Sequence, residues 1–342
     1  MTTAVVILNW NGKKFLKKFL PLVIQHTSHI AEIVVADNNS QDDSVLMLRE
    51  EFPEVRVIEN EENGGFSKGY NQALAYIKAD LYVLLNSDIE VTQNWLEPLA
   101  EHMEKNPDTA ACQPKIKSYS QKDYFEYAGA AGGFIDKYGY PFCQGRIFNT
   151  LEKDTGQYNK ETDIFWASGA CMITRAEIFH KLGGLDDDFF AHMEEIDYCW
   201  RAKNQGYQIR YIPESTVYHV GGGTLPKNNP FKTFLNFRNN LTLLFKNQQV
   251  KAFNNVYRTR LILDFLAASQ FLLTGKAKDA LAVCKAHFHF LADKNKYAQK
   301  KIKPKMVSIS GIYKRSIVKE YYLSQRQKFT ALSKNAFSTD QE

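Results

Sequence analysis

A chain of 342 residues with 44% hydrophobic side chains can bury a substantial core, which excludes a globally disordered protein. Its net charge of +5 is unevenly spread: residues 1–230 hold 22 Lys/Arg against 32 Asp/Glu, and residues 231–342 hold 21 against 6. That step divides an acidic domain, residues 1–230, from a basic region, residues 231–342. The five cysteines (Cys112, Cys143, Cys171, Cys199, Cys284) include no C-x-x-C pair, which speaks against a disulfide framework or a zinc site and for a reducing compartment.

The apolar run Ala4–Asn9 begins too near residue 1 for a signal peptide and reads as a buried strand. A helix follows over Lys13–His26, then a strand over Glu32–Asp37, a helix over Asp42–Glu51 and a strand over Val55–Ile58. A helix over Phe66–Ile77 leads to the strand Leu81–Leu85. Short apolar runs separated by helical periods predict an α/β fold with a parallel sheet flanked by helices, binding its ligand beyond the carboxyl ends of the strands. Residues 115–165, with Gly129, Gly132, Gly133, Gly139 and Gly145, read as an irregular β-rich insertion. From Phe231 onward the pattern is helical and ends in a lysine-rich tail, and no internal repeat is evident. The most apolar stretch, Leu261–Leu273, carries Asp264 and Gln270 and falls short of the roughly 20 residues that span a bilayer. The expectation is a cytoplasmic protein without a membrane span.

Asn9, Asp37, Asn86 and Asp88 stand at successive strand exits. Any one of them could be a turn or cap residue, but the series points to a polar site. Asp88, in Leu85-Asn-Ser-Asp88, could hold a hard cation that neutralises a departing diphosphate. A second cluster is the acidic segment around Glu194, Glu195, Asp197 and Arg201. At 100° per residue Glu194, Asp197 and Arg201 share a helix face and Glu195 points elsewhere. An exposed helix with internal ion pairs is one reading. The surrounding Phe189, Phe190, Met193, Tyr198 and Trp200 favour partly buried carboxylates suited to general-base work. The third cluster is His219 followed by Gly221, Gly222 and Gly223, where the imidazole is either structural or a ligand for Mn²⁺.

In chain order these pieces, together with Asn63-Gly-Gly-Phe-Ser-Lys-Gly-Tyr-Asn71, Ser168-Gly-Ala170 and Phe237-Arg-Asn-Asn240, resemble the family 2 glycosyltransferases. The resemblance covers about residues 3–245 and lies nearest the rhamnosyltransferase-like members that build bacterial cell-surface polysaccharides. It implies the inverting GT-A fold, Rossmann-like and mostly parallel, with a C-terminal helical extension. It also implies a nucleotide-diphosphate sugar donor (dTDP- or UDP-linked), a divalent metal (Mn²⁺ or Mg²⁺) and a glycan or lipid-linked glycan acceptor. By the same resemblance Asn9, Trp10 and Asp37 line the nucleoside pocket, and Asn63, Gly65 and Asn71 shape its ribose and pyrophosphate side. Asn86, Ser87 and Asp88 occupy the D-x-D position, with Asp88 and His219 on the metal. Glu195 matches the catalytic base, Glu194 its neighbour, and Trp166 and Gly169 the acceptor groove.

Two departures stand out: Asn86 removes one carboxylate of the D-x-D pair, and the base is more usually an Asp. An oxidoreductase would need G-x-G-x-x-G after the first strand, where Asn9-Trp-Asn-Gly12 stands. A sugar-nucleotide nucleotidyltransferase would want a Gly-rich basic loop there, and only Gly12-Lys13 is present. A non-catalytic sugar-nucleotide-binding protein is the third alternative. The basic C-terminal region, with His287-Phe-His-Phe290 and Lys319-Glu-Tyr-Tyr322, suggests an anionic membrane surface as partner. A solvated tail or homodimer contact is the alternative, and nucleic acid is not expected because no binding motif accompanies the charge.

Overall fold

In the computed structural model, residues 1–221, 229–303 and 308–339 are described. The first half alternates strand and helix as the periodicity predicts: β1 (Thr3–Asn9), α1 (Lys13–Thr27), β2 (Glu32–Asp37), α2 (Ser44–Glu51), β3 (Arg56–Glu59), α3 (Gly65–Leu74) and β4 (Leu81–Asn86). Strand alternation builds two cores at once. Val5 and Ile7 of β1 pack with Leu16, Leu20 and Val23 of α1 on one face, while Ala4 and Val6 pack with Tyr70, Ala73 and Leu74 of α3 on the other.

The expected parallel pairing holds for β3-β2-β1-β4, and the strand on the far side of β4 interrupts it. The chain continues through β5 (Ile89–Val91), α4 (Glu97–Lys105) and β6 (Thr109–Ser118) into a small second sheet. That sheet contains β7 (Gly133–Asp136), β8 (Pro141–Cys143), β9 (Arg146–Ile147) and β10 (Thr150–Leu151), inside the segment expected to be β-rich. After β11 (Thr162–Asp163), β12 (Cys171–Arg175) runs antiparallel to both β4 and β6. This direction matters, because β12 begins at the carboxyl end of β4 and so delivers Ser168-Gly-Ala170 to the strand ends. Beyond α5 (Ala176–Lys181) and α6 (Glu194–Asn204), β13 (Gln208–His219) pairs with β6 in parallel and with β5 antiparallel. The His219–Ile89 register sets the imidazole beside the loop leaving β4. The five cysteines are free, as expected.

The basic region is helical through α7 (Pro230–Asn247), α8 (Val250–Leu273), α9 (Ala277–Ala292) and α10 (Lys294–Gln299). It does not end as a helical tail. The strand β14 (Ile312–Tyr313) joins β7, and α11 (Ile317–Tyr322) lays Tyr321 against Thr150, hydroxyl to hydroxyl at 2.8 Å. Asp136 accepts the amide hydrogen of Ile317 at 2.9 Å, and burial pushes its carboxyl up to about 6 despite that bond. Among the described residues no helix is long and apolar enough to cross a membrane.

A buried ion network binds α7 to α6. Asp197, fully buried, accepts from Arg201 at 2.7 Å and from Lys246 at 2.8 Å, and Lys246 also reaches Asp186 at 2.6 Å. Lys246→Met would leave two buried carboxylates short of their shared cation, which typically costs about 3–5 kcal/mol. Urea unfolding of Lys246→Met is therefore expected to show that loss, with the m-value unchanged.

Candidate active site

A cleft of about 460 Å³ opens beyond the carboxyl ends of β1, β2 and β4. Trp10, Asn63 and Gly65 line one side, Asn86, Ser87 and Asp88 the floor, and Gly169, Glu194, Glu195 and His219 the rest. Ten of the residues singled out from the sequence thus meet in one cavity. Two of its glycines are needed for close approach. Gly65 has φ +73°, and a Cβ there would lie 2.4 Å from the Phe190 carbonyl oxygen; a Cβ on Gly169 would lie 2.9 Å from the Phe66 ring.

Four expected site residues do not line the cleft. Asp37 is 2% exposed, and its carboxylate accepts the Asn9 amide at 2.8 Å and the Ser40 backbone N–H at 2.8 Å. Asn9 and Asp37 are therefore a strut tying the ends of β1 and β2. Asn71 staples another loop, donating to the Leu185 carbonyl at 2.7 Å and accepting the Leu185 N–H at 3.0 Å. Trp166 is buried and donates to the Phe134 carbonyl at 3.0 Å, beneath the small sheet. Gly222 and Gly223 lie outside the described residues.

At the floor, His219 Nε2 lies 3.1 Å from Asp88 Oδ1, and the Gly221 N–H donates to Asp88 Oδ2 at 3.2 Å. On the other ring nitrogen, Nδ1 lies 3.2 Å from Glu126 Oε2. Burial alone would favour the neutral ring, but the two carboxylates win and push the His219 imidazolium up to about 10. Glu126 is 7% exposed and sits in the irregular 115–165 segment, where nothing in the sequence marks it.

Do these residues suit a divalent cation? Among the described residues no group of three or more His, Cys, Asp and Glu forms a cation cage. The floor nevertheless has the chemistry of a shared site. Asp88 and His219 Nε2 converge, and a carboxylate on Nδ1 is the usual partner that aims a ligating imidazole. The Asn86 amide nitrogen lies 3.5 Å from Nε2, and the flipped amide would present a carbonyl oxygen to the same spot. A hard cation that keeps phosphate and water oxygens needs only one or two carboxylates. The set fits a cation shared with a phosphate-bearing ligand.

The opposite wall is built by an unusual turn. Phe190, His192 and Met193 hold φ of 62°, 70° and 75°, which brings the start of α6 into the cleft. Their carbonyl groups are held from two sides: Phe66 N–H donates to Phe190 O at 2.6 Å, and the Asn239 amide donates to Phe189, Ala191 and His192 oxygens at 2.9, 2.9 and 2.7 Å. Asn239 falls in the Phe237–Asn240 motif, but its clamp role cannot be read from spacing. His192 also lines the cleft; burial first, then the charge of Lys232, lowers its ring to about 4, so it is neutral, with Nε2 unpartnered among the described residues.

Glu194 and Glu195 head α6, and Oε2 of each has no hydrogen-bond partner among the described residues. The ion pairs considered for this helix belong instead to Asp197 and Arg201, on the face turned toward α7. Burial pushes the Glu195 carboxyl up to about 7, against the pull of backbone N–H groups at the helix start. Burial, then the charge of Glu195, holds the Glu194 carboxyl well above the ordinary range of a glutamate. The sign of the linkage follows. An unfolded Glu ionises near 4.5 and Glu195 near 7, so the stability tied to its proton is complete below 4.5 and is lost as pH rises through 7. Glu195→Gln, which cannot ionise, is expected to be more stable than the parent chain at pH 8, by on the order of 2 kcal/mol. Thermal melts at pH 5 and pH 8 should show that gain shrinking toward the lower pH.

Residues 4–183 match the sequence profile of Glycosyl transferase family 2. The chain is 24% identical over 233 residues, 63% of its length and 75% of the relative's, to an N-acetylglucosaminyl-diphospho-decaprenol L-rhamnosyltransferase from Mycobacterium tuberculosis. It is 23% identical over 224 residues, 63% of its length and 82% of the relative's, to the rhamnosyltransferase WbbL of Escherichia coli. The fold resembles that of GalNAc-T7, solved with UDP, GalNAc and Mn²⁺, at a TM-score of 0.56 and 19% identity, covering 72% of this chain and 48%, about half, of that one. The fold is GT-A, and the chain belongs to Glycosyl transferase family 2: it is a glycosyltransferase enzyme.

Proposed function

We propose that the protein transfers a sugar, rhamnose-like or another hexose, from a nucleotide-diphosphate donor to a hydroxyl of a growing lipid-linked surface glycan, with inversion at the anomeric carbon. The observation that carries this reading is the half-buried Glu195 carboxyl, poised near 7 with Oε2 unpartnered among the described residues, in the same cleft as the Asp88–His219 pair. Two relatives named as rhamnosyltransferases, one named for a diphospho-decaprenol acceptor, support the sugar and acceptor classes. The region of residues 1–230 is then the transferase domain. Residues 231–342 buttress it through Asn239 and Lys246.

In this reading the donor nucleoside lies along Trp10, Asn38 and Asn63, with Asn9 and Asp37 bracing that wall from behind. The diphosphate lies over Asn86–Asp88. A divalent cation, Mn²⁺ or Mg²⁺, held by Asp88 and by His219 with its Nε2 proton displaced would neutralise the leaving diphosphate. Its support is the donor chemistry of the floor and the Mn²⁺ named with the GalNAc-T7 structure. The acceptor enters past Gly169 and Phe190. Its hydroxyl oxygen forms a bond to the anomeric carbon as the bond from that carbon to the phosphate oxygen breaks, and the hydroxyl proton passes to the Glu195 carboxylate. One displacement from the face opposite the leaving group inverts the centre and needs no covalent enzyme intermediate. His192, neutral and unpaired, is available to the acceptor as a hydrogen-bond partner.

Because the base must be ionised to accept a proton, kcat/KM is expected to rise with pH through about 7 and level above it. Glu195→Gln should bind donor while turnover falls by about 10²–10⁴-fold and the pH rise disappears. If Glu195→Gln kept near-normal turnover and Glu194→Gln lost it, the two roles would be exchanged. Asp88→Ala should abolish metal-stimulated transfer with the fold intact. Undiminished transfer by Asp88→Ala in EDTA would remove the cation from the reading.

A further inference from the structure

The α8–α9 hairpin is covered on one side and bare on the other. Phe253, Ala268, Ala280, Val283, Ala286 and Phe290 are buried, and the contacts of Phe253 and Tyr257 with Phe290 show the helices run antiparallel. On α8, Ile262, Phe265, Leu266, Leu272 and Leu273 are 57–89% exposed, and at 100° per residue they share one side of the helix. On α9, Leu281, Phe288 and Leu291 are 52–72% exposed and likewise share a side.

Charge says what these side chains face. Over residues 250–292 the only carboxylates are Asp264 and Asp279. Asp264 is 1% exposed and tied to Arg260 and His287, and Asp279 accepts from the Thr233 hydroxyl at a distance of 2.6 Å. The exposed ionised groups of the hairpin are cationic, Lys251, Arg258, Lys276, Lys278 and Lys285, and the half-buried Asp279 is the one carboxylate of the segment that solvent reaches. A soluble partner of ordinary composition would meet both signs of charge. A surface that offers apolar depth beneath an anionic layer matches this one on both counts.

The hairpin also adjoins the cleft. Phe190 and Phe231, both in the cleft wall, lie 6.2 Å apart between ring centres. Phe231 stacks toward Phe234 at 6.2 Å, Phe234 meets His289 of α9 at 5.2 Å, and His289 neighbours the exposed Phe288. An aromatic track thus runs from the acceptor side of the site to the apolar side of the hairpin. The Lys319–Tyr322 segment, the other basic-aromatic candidate in the sequence, is instead occupied with the small sheet, Glu320 being buried and Tyr321 paired with Thr150.

We infer that the α8–α9 hairpin docks on an anionic lipid bilayer, sinking its apolar side chains into the headgroup region and turning the cleft mouth toward the membrane surface. The inference rests on the lipid-linked acceptor of the proposed function for its purpose, but not for its test. Flotation of the full-length chain with phosphatidylglycerol/phosphatidylcholine vesicles, without donor or acceptor, should show binding about tenfold above that to pure phosphatidylcholine and falling with added salt. The double variant Phe265→Glu/Leu272→Glu, at exposed positions, should keep the parent melting temperature and lose binding by about tenfold or more. Lys276→Glu/Lys278→Glu should lose the preference for anionic lipid. Equal binding to neutral vesicles, or no binding to either, would overturn the inference. So would concentration-dependent dimerisation abolished by the Phe265/Leu272 variant without vesicle binding, since a second copy would then cover the face. A failed transfer assay leaves flotation untouched, and failed flotation leaves the transferase reading in place.

Discussion

Three non-glycine residues, Phe190, His192 and Met193, are held in left-handed backbone immediately before α6, and each such residue costs roughly 1–3 kcal/mol. That strain places two carboxylates at the head of a helix in a cleft where Oε2 of each has no partner among the described residues. It persists because the carbonyl groups it turns inward are over-determined. Phe66 holds one by its backbone N–H, and a single side-chain amide, that of Asn239, serves three others. Gly65 must be glycine for the same reason, since the Phe190 carbonyl occupies the space a Cβ would need. Remove the clamp from α7 and the reactive wall loses its shape, although α7 itself contributes no carboxylate. The helical region thus fixes the shape of a cleft wall whose carboxylates α6 supplies.

The cleft keeps its ionisable groups in two contrasting environments. On the floor, Asp88 and Glu126 flank His219 and remain anionic, because an imidazolium and backbone N–H groups answer their charge. On the opposite wall, Glu194 and Glu195 are buried without a cation and their carboxyls are pushed up. Carboxylates paired with positive charge suit a permanent electrostatic task; an unpaired carboxyl near neutral suits a proton that comes and goes. The separation follows from which elements reach the strand ends: the loop after β4, the end of β13 and the segment between β6 and β7 deliver the first group, α6 the second.

How much of this could be read beforehand depended on whether the signal was local. The strands β1, β2 and β4 are nearly continuous runs of Val, Ile and Leu, and their limits were legible within a residue or two. Asp88 and His219 were legible because each stands where a strand stops, and Glu195 because acids there stand among aromatic residues at the head of a helix. Asn9 and Asp37 carried the same strand-end signal, yet the structure ties them to each other and to Ser40, while Asn71, inside α3, holds Leu185. A strand-end Asp that binds ligand and one that ties two strands look alike until its partners are known. Trp166 faces the small sheet because its backbone bridges Gly133 and its indole donates to the Phe134 carbonyl, a contact across 32 positions that no local pattern announces. Glu126 and Asn239 were missed because their roles lie in contacts across 93 and about 50 positions of sequence, with His219 and with the turn before α6.

The charge asymmetry that first divided the chain resolves into two separate uses. Part of the basic excess is spent inward. Lys246, Lys296 and Lys300 pair with Asp186, Asp188 and Asp197 of the acidic half, so opposite net charges draw the two regions together. These pairs sit on the turn before α6 and on α6 itself, and the same attraction that joins the regions also steadies that wall of the cleft. Among the described residues the lysines of the α8–α9 hairpin have no such carboxylates, and the two acids of that segment bond to groups within the protein. Cations that stabilised only the fold would be placed where acids can answer them. Here they remain beside exposed leucine and phenylalanine, on the side of the molecule to which the aromatic track from the cleft leads.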